Sequence, residues 1–187
     1  MKMPKIAEIE YTPNPNAVKF VLKEAVAVGF PKSFPSVETA EHDELAKNLF
    51  AVGNVTSVFM QDKFLTVTKT DDKGWPEMLP LLAAPIRAAA GAGGGTGTPA
   101  PAKVFSKIED ENDPMLRDIR MVLESAILPA LAADGGGLEL IGRHEKQVMI
   151  RYVGACGSCP ASLTGTLVAI EGMLQKEVDP EIVVISV

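Results

Sequence analysis

Residues 154–160 read GACGSCP and hold Cys156 and Cys159, the only two cysteines among 187 residues. A C-x-x-C pair supports three chemistries. It can be a redox dithiol, half of a metal site, or two inert thiols of the kind common in protein interiors. A closed zinc or iron–sulfur site takes four thiolates or their equivalents. Two cysteines alone therefore leave a metal site half built.

The surroundings of the pair favour reactive thiolates over buried inert ones. A strand-like run, QVMIRYV (147–153), leads into the loop, and Pro160 stands where a helix begins. Open backbone N–H groups and the positive end of a helix dipole stabilise thiolates at such a position. Gly154 and Gly157 allow a tight turn and close approach of a bulky group, and Ala155, Ser158 and Ala161 leave room beside the sulfurs. A thioredoxin-like dithiol oxidoreductase is the enzyme-class alternative, since its motif also opens a helix. That motif belongs to a larger βαβ setting, for which this half of the chain is too short. A structural zinc site lacks two ligands: His42 lies in the other half of the chain and His144 in a predicted hairpin turn. Two copies of the chain, each giving one cysteine pair, would supply four thiolates at a dimer interface. A site held by two short exposed loops suits a carrier that loads and releases its cluster.

The elements that position this loop are legible around it. Asp113-Pro114 reads as an N-cap followed by proline at the first helical position. Leu116, Ile119, Leu123, Ala126 and Ala130 then recur at helical spacing up to DGGG (134–137), with Pro129 expected to bend or loosen the last turns. LELI (138–141) and QVMIRYV flank Arg143-His144-Glu145-Lys146, the pattern of a hairpin. Beyond Pro160, Leu163, Leu167, Ile170 and Leu174 share one helical face, and IVVISV (182–187) reads as a closing strand. The order α-β-β-α-β predicts a three-stranded sheet with two helices on one face.

The first half mixes strands and helices. AVKFVL (17–22), VTSVFM (55–60) and FLTVTK (64–69) read as strands, the last two separated by a hairpin-length gap. EHDELAKNLF (41–50) reads as a helix. WPEMLPLLAAPIRAAA (75–90) reads as another, kinked at Pro80 and Pro85. Between the halves, GAGGGTGTPAPA (91–102) contains five glycines and two prolines and nothing large enough to anchor a core. The fold class expected is α+β, with an N-terminal domain over 1–90, a flexible linker over 91–112 and a C-terminal domain over 113–187.

Composition narrows the function classes. Apolar residues form 47% of the chain and charged residues 22%, an ordinary globular balance. The net charge of −6 provides no basic footprint for nucleic acid, and no apolar run is long enough to span a membrane. Residues 113–187 carry four of the six net negative charges, with 6 basic against 10 acidic residues. The first sixteen residues lack an apolar signal core, and Glu8 and Glu10 do not suit a transit peptide. With two cysteines and no disulfide framework, the expected setting is a reducing cytoplasm.

DGGG, GACGSCP and the helical SLTGTLVAIEGML together resemble the NifU-like domain of the Nfu family of iron–sulfur cluster scaffold and carrier proteins. TPNPNAVKF (12–20) and VTSVFMQDKFLTVTK (55–69) resemble the domain that precedes it in longer members. The resemblance implies a non-enzymatic protein whose Cys156 and Cys159 bind a [4Fe–4S] cluster bridged across a homodimer. It implies receipt of that cluster from assembly machinery and transfer to apo-proteins, of which lipoyl synthase and aconitase are the kind. Two departures stand out: Gly137, where the family commonly has an acidic residue, and Gly165, within the second helix. The N-terminal domain has no cysteine, and Asn14 and Asn16 of TPNPN read as turn formers. The resemblance gives that domain a part in recognising clients.

Overall fold

A computed structural model describes residues 5–28, 31–70, 72–89, 113–158 and 165–187. The stretch expected to be a flexible linker, 91–112, lies outside the described residues, as do Cys159, Pro160 and Leu163. The fold is α+β, and the chain divides into two compact units, Met1–Ala102 and Lys103–Val187. Among the described residues no helix is long and apolar enough to cross a membrane.

The first unit is a five-stranded antiparallel sheet in the order β1-β2-β5-β4-β3, where β1 is Ile6–Tyr11, β2 Ala17–Leu22, β3 Lys32–Phe34, β4 Val55–Gln61 and β5 Phe64–Lys69. Alternation sends Val18, Phe20 and Leu22 of β2, and Leu65 and Val67 of β5, to one face. Helices α1 (Glu44–Phe50) and α2 (Trp75–Ala88) close over that face with Leu49, Met78, Leu82 and Ile86. The side chain of Asp43 caps α1, accepting the Ala46 N–H at 3.0 Å. The two edge strands escape a sequence reading: β3 is three residues long, and β1 interleaves its apolar positions with Glu8 and Glu10.

Pro80 and Pro85 do not divide α2, which runs as one helix from Trp75 to Ala88. Each interior proline costs about 3 kcal/mol in lost hydrogen bonding and steric clash. Burial of Trp75, Met78, Leu82 and Ile86 against the sheet offsets this at about 1.5–3 kcal/mol per large side chain.

The TPNPN segment is a side-chain-bonded turn. Thr12 Oγ1 donates to the Asn14 carbonyl at 3.0 Å, and Asn14 Oδ1 accepts the Asn16 N–H at 3.0 Å. Asn14 is 2% exposed, and the Trp75 indole N–H donates to the Pro15 carbonyl at 2.8 Å, pinning the turn to the start of α2.

The first described helix of the second unit starts with the expected cap. Asp113 accepts the Met115 N–H at 2.9 Å and the Arg143 guanidinium at 2.5 Å, and Pro114 occupies the first helical position. The helical rod has three parts: α3 (Pro114–Val122), a π-helical turn (Leu123–Ile127) and α4 (Leu128–Ala133). Pro129 has no N–H to offer, and the chain widens by one residue just before it, with the Leu128 N–H bonding to the Leu123 carbonyl. The expected bend is thus taken up as a π turn ahead of the proline.

Strands β6 (Gly136–His144) and β7 (Gln147–Gly154) pair antiparallel, and β8 (Val183–Ser186) pairs parallel to β7. The hairpin is tighter than the sequence suggests: His144 pairs with Gln147, leaving a two-residue turn in which Glu145 takes a left-handed φ of 53°. Helix α5 (Leu167–Glu177) precedes β8 and is tied to it, as Glu171 Oε2 accepts the Val184 N–H at 2.8 Å and Gln175 donates to the Ile182 carbonyl at 2.8 Å. One apolar cluster joins Leu116, Ile119 and Leu123 to Ile170 and Leu174 and to the inward positions of the sheet. Both helical segments therefore cover the same face.

Candidate functional site

The cysteine segment is built at the joint between β6 and β7. Gly135, just past α4, has φ 78°, and Gly154, at the end of β7, has φ 66°. Only glycine adopts these left-handed values without strain. Together they turn the chain into and out of the hairpin, and the Ala155 N–H donates to the Gly135 carbonyl at 3.2 Å. From Gly154 the backbone enters one turn of 3-10 helix, Ala155–Ser158, which carries Cys156.

Cys156 is 3% exposed and belongs to the apolar cluster beneath the helices. Gly136 lies directly against it. A Cβ on Gly136 would stand 2.5 Å from the Cys156 sulfur, 2.8 Å from its backbone nitrogen and 2.9 Å from the Val153 carbonyl oxygen. No side chain fits there, so the glycine creates the seat of the thiol. Gly157 is packed less tightly, with a Cβ at 3.1 Å from the Tyr152 carbonyl oxygen. By contrast, nothing comes within 4 Å of a Cβ on Gly165.

Tyr152 completes the surroundings. Val148, Ile150 and Tyr152 of β7 all point toward the helices, and Tyr152 is 7% exposed. Its hydroxyl is buried and finds no hydrogen-bond partner among the described residues. Burial first, and then the negative charge of a Cys156 thiolate, push the phenol up to about 12. On the other side of the sheet, burial raises the Glu139 carboxyl, and the Arg151 guanidinium 3.8 Å away opposes that shift.

Of the two candidate ligands, the structure describes Cys156 alone; Cys159 lies outside the described residues. His42 and His144 are both exposed. Among the described residues, no three His, Cys, Asp or Glu side chains gather into a possible metal set. Sequence reasoning missed two contributors. Gly136 sat unmarked in the DGGG run, where Gly137 drew the notice. Tyr152 had a readable signal, standing on the inward phase of β7 four residues before Cys156.

Comparison with known proteins matches two domain types in order. Residues 6–93 match the N-terminal domain of the scaffold protein Nfu/NifU, and residues 119–185 match the NifU-like domain. The chain is 31% identical over 175 residues to NifU-like protein 4, mitochondrial, of Arabidopsis thaliana, covering 91% of this chain and 62% of that protein. It is 32% identical over 167 residues to the human NFU1 iron-sulfur cluster scaffold homolog, mitochondrial, covering 88% and 65%. The chain thus spans less than two thirds of the length of these curated relatives. A solution structure of a NifU-like protein from Saccharomyces cerevisiae aligns with a TM-score of 0.42 at 23% identity, over 47% of this chain and 79% of that one.

The relatives correct one expectation. Those matched along most of the chain are named as mitochondrial proteins, which overturns the cytoplasmic setting inferred from the thiols. Cysteine usage reports the redox state of a compartment, and it does not tell one reducing compartment from another. With both domain types present in sequence over 6–93 and 119–185, the chain belongs to the Nfu family.

Proposed function

We propose that this protein is an iron–sulfur cluster carrier in which two chains hold one [4Fe–4S] cluster between them and pass it to apo-proteins. Cys156 and Cys159 of each chain are the ligands, so each monomer supplies half of the four-thiolate set. The protein has no catalytic group in this reading; the cluster is its cargo, received from assembly machinery. The names of the relatives support a scaffold role.

The observation that carries the proposal is the seat of Cys156. Its sulfur is anchored by a glycine-lined joint, while no complementary ligand set stands near it among the described residues. A dithiol enzyme gains nothing from a partner chain, whereas a four-thiolate site requires one. Cys156 is 3% exposed, so loading requires its surroundings to rearrange.

Anaerobic reconstitution with iron and sulfide, followed by iron analysis and mass measurement, tests the proposal. The expected product is a dimer with about four irons per two chains. A monomer carrying a complete cluster overturns the shared site. Rapid reduction of insulin disulfides by the apo-protein, with no cluster delivery to an apo-enzyme, identifies a dithiol oxidoreductase instead.

A further inference from the structure

The two sheets have four edge strands, β1, β3, β6 and β8. The unpaired side of an edge strand is a template for another chain, and proteins blunt it with short length, charge or a bulge. Three of these edges carry such protection in their own residues. Strand β1 has Glu8 and Glu10 and a register shift between Ile6 and Glu8. Strand β3 is three residues long and starts with Lys32. Strand β6 has Glu139, Arg143 and His144, with a register shift between Leu140 and Gly142. Strand β8 has no charge and no shift. It lies in the uncharged run IVVISV (182–187), and Val183 and Val187 are left 46% and 56% exposed. A stretch of that composition on an open edge pairs readily with its own copies.

Protection comes from α5 instead. Val183 and Val187 turn their N–H groups to β7, donating to the Lys146 carbonyl at 3.0 Å and the Ile150 carbonyl at 2.9 Å. Backbone groups alternate along a strand, so Val184 presents its N–H, and Ile182 its carbonyl, to the outer side. A neighbouring strand would take both groups. Glu171 Oε2 accepts the Val184 N–H at 2.8 Å, and the Gln175 side-chain amide donates to the Ile182 carbonyl at 2.8 Å. The two side chains stand one turn apart on α5, and they offer an acceptor and a donor in order along the edge. We propose that Glu171 and Gln175 act as a surrogate neighbouring strand, closing β8 against edge-to-edge pairing with β8 of a second copy of this chain. An incoming strand must break both bonds and strip water from a carboxylate, which disfavours the pairing. The closed edge stands apart from the carrier reading, because it involves neither thiol.

Sedimentation and light scattering of the full-length protein, without added iron or sulfide, test this over a range of concentrations. Glu171→Ala with Gln175→Ala opens the edge, and the mass should rise about twofold or more above wild type as concentration increases. Glu171→Ala alone, the milder change, should associate in the same direction at higher concentration. Glu171→Gln, whose amide oxygen still accepts the Val184 N–H, should behave as wild type. Adding Ser186→Pro to the double variant removes an outward N–H from the same edge and should restore the wild-type mass. At dilutions where the double variant is a single chain, its Val184 amide should exchange with solvent faster than in wild type. A double variant that matches wild type in mass at every concentration overturns the proposal. Association that Ser186→Pro leaves unchanged overturns it too, since the contact then lies elsewhere or follows from unfolding. A wild-type dimer that Ser186→Pro alone makes monomeric shows an edge already open, and refutes the closure.

Discussion

Gly136 and Cys156 exclude any side chain between them: the thiol fills the space that a methyl group on the glycine would need. The contact joins the first residue of β6 to the turn that follows β7. It makes the position of the sulfur depend on a residue twenty places away in sequence.

Gly136→Ala should therefore disturb the site and the fold together. Sulfur and backbone must both shift, and overpacking of this kind costs about 1–3 kcal/mol. Urea denaturation should show that loss, and iron analysis after reconstitution should show reduced cluster occupancy. Gly172→Ala provides the contrast. Gly172 lies within α5 with nothing inside 4 Å of its Cβ, so alanine should stabilise the chain by about 0.5–1 kcal/mol and leave iron binding intact.

Replacing either cysteine should abolish stable cluster binding while keeping the apo-fold. For Cys156, alanine is the better substitution, since serine would place a hydroxyl in an apolar cluster. Circular dichroism should match wild type for Cys156→Ala and Cys159→Ser. Full iron retention by either variant contradicts their assignment as ligands.

Asp113 links helix start, hairpin and pH. The Arg143 guanidinium beside it, and the backbone N–H of Met115 that it caps, lower its carboxyl below the ordinary value of 3.8 despite partial burial. A lowered folded value means that the stabilisation is complete above the unfolded pKa and is lost as pH falls through the folded one. Asp113→Asn keeps the cap but removes the charge. The stability difference between wild type and variant should be largest near neutrality and vanish as the pH falls below the carboxylate range. A difference that persists in acid would contradict the ion pair.

Asn14→Ala separates a structural turn from a docking surface. The buried amide oxygen holds the Asn16 N–H, so the substitution should cost about 1–2 kcal/mol. Cluster loading should be unaffected, because the thiols belong to the other unit. Thermal unfolding and iron analysis on the same sample check both parts. An unchanged melting temperature would return TPNPN to consideration as a contact for clients.

The candidate site and most of the elements that frame it are local patterns of the sequence. The spacing of Cys156 and Cys159, the Asp113-Pro114 helix start and the apolar phase of Leu116, Ile119 and Leu123 are local patterns, and local patterns follow from backbone periodicity and capping. The strands over 17–22 and 64–69 were legible for the same reason, since buried central strands are rich in β-branched and aromatic residues. What the tertiary structure alone decided depends on residues distant in sequence. The strands β1 and β3 exist because a neighbour pairs with them, and their own composition is weak. Helix α2 stays whole through two prolines because the sheet beneath it rewards burial. Gly136 and Tyr152 acquire meaning only when the β6–β7 pairing brings one against Cys156 and the 3-10 turn folds over the other. Periodicity marks which face a side chain occupies; only the packed fold decides which atoms it meets there.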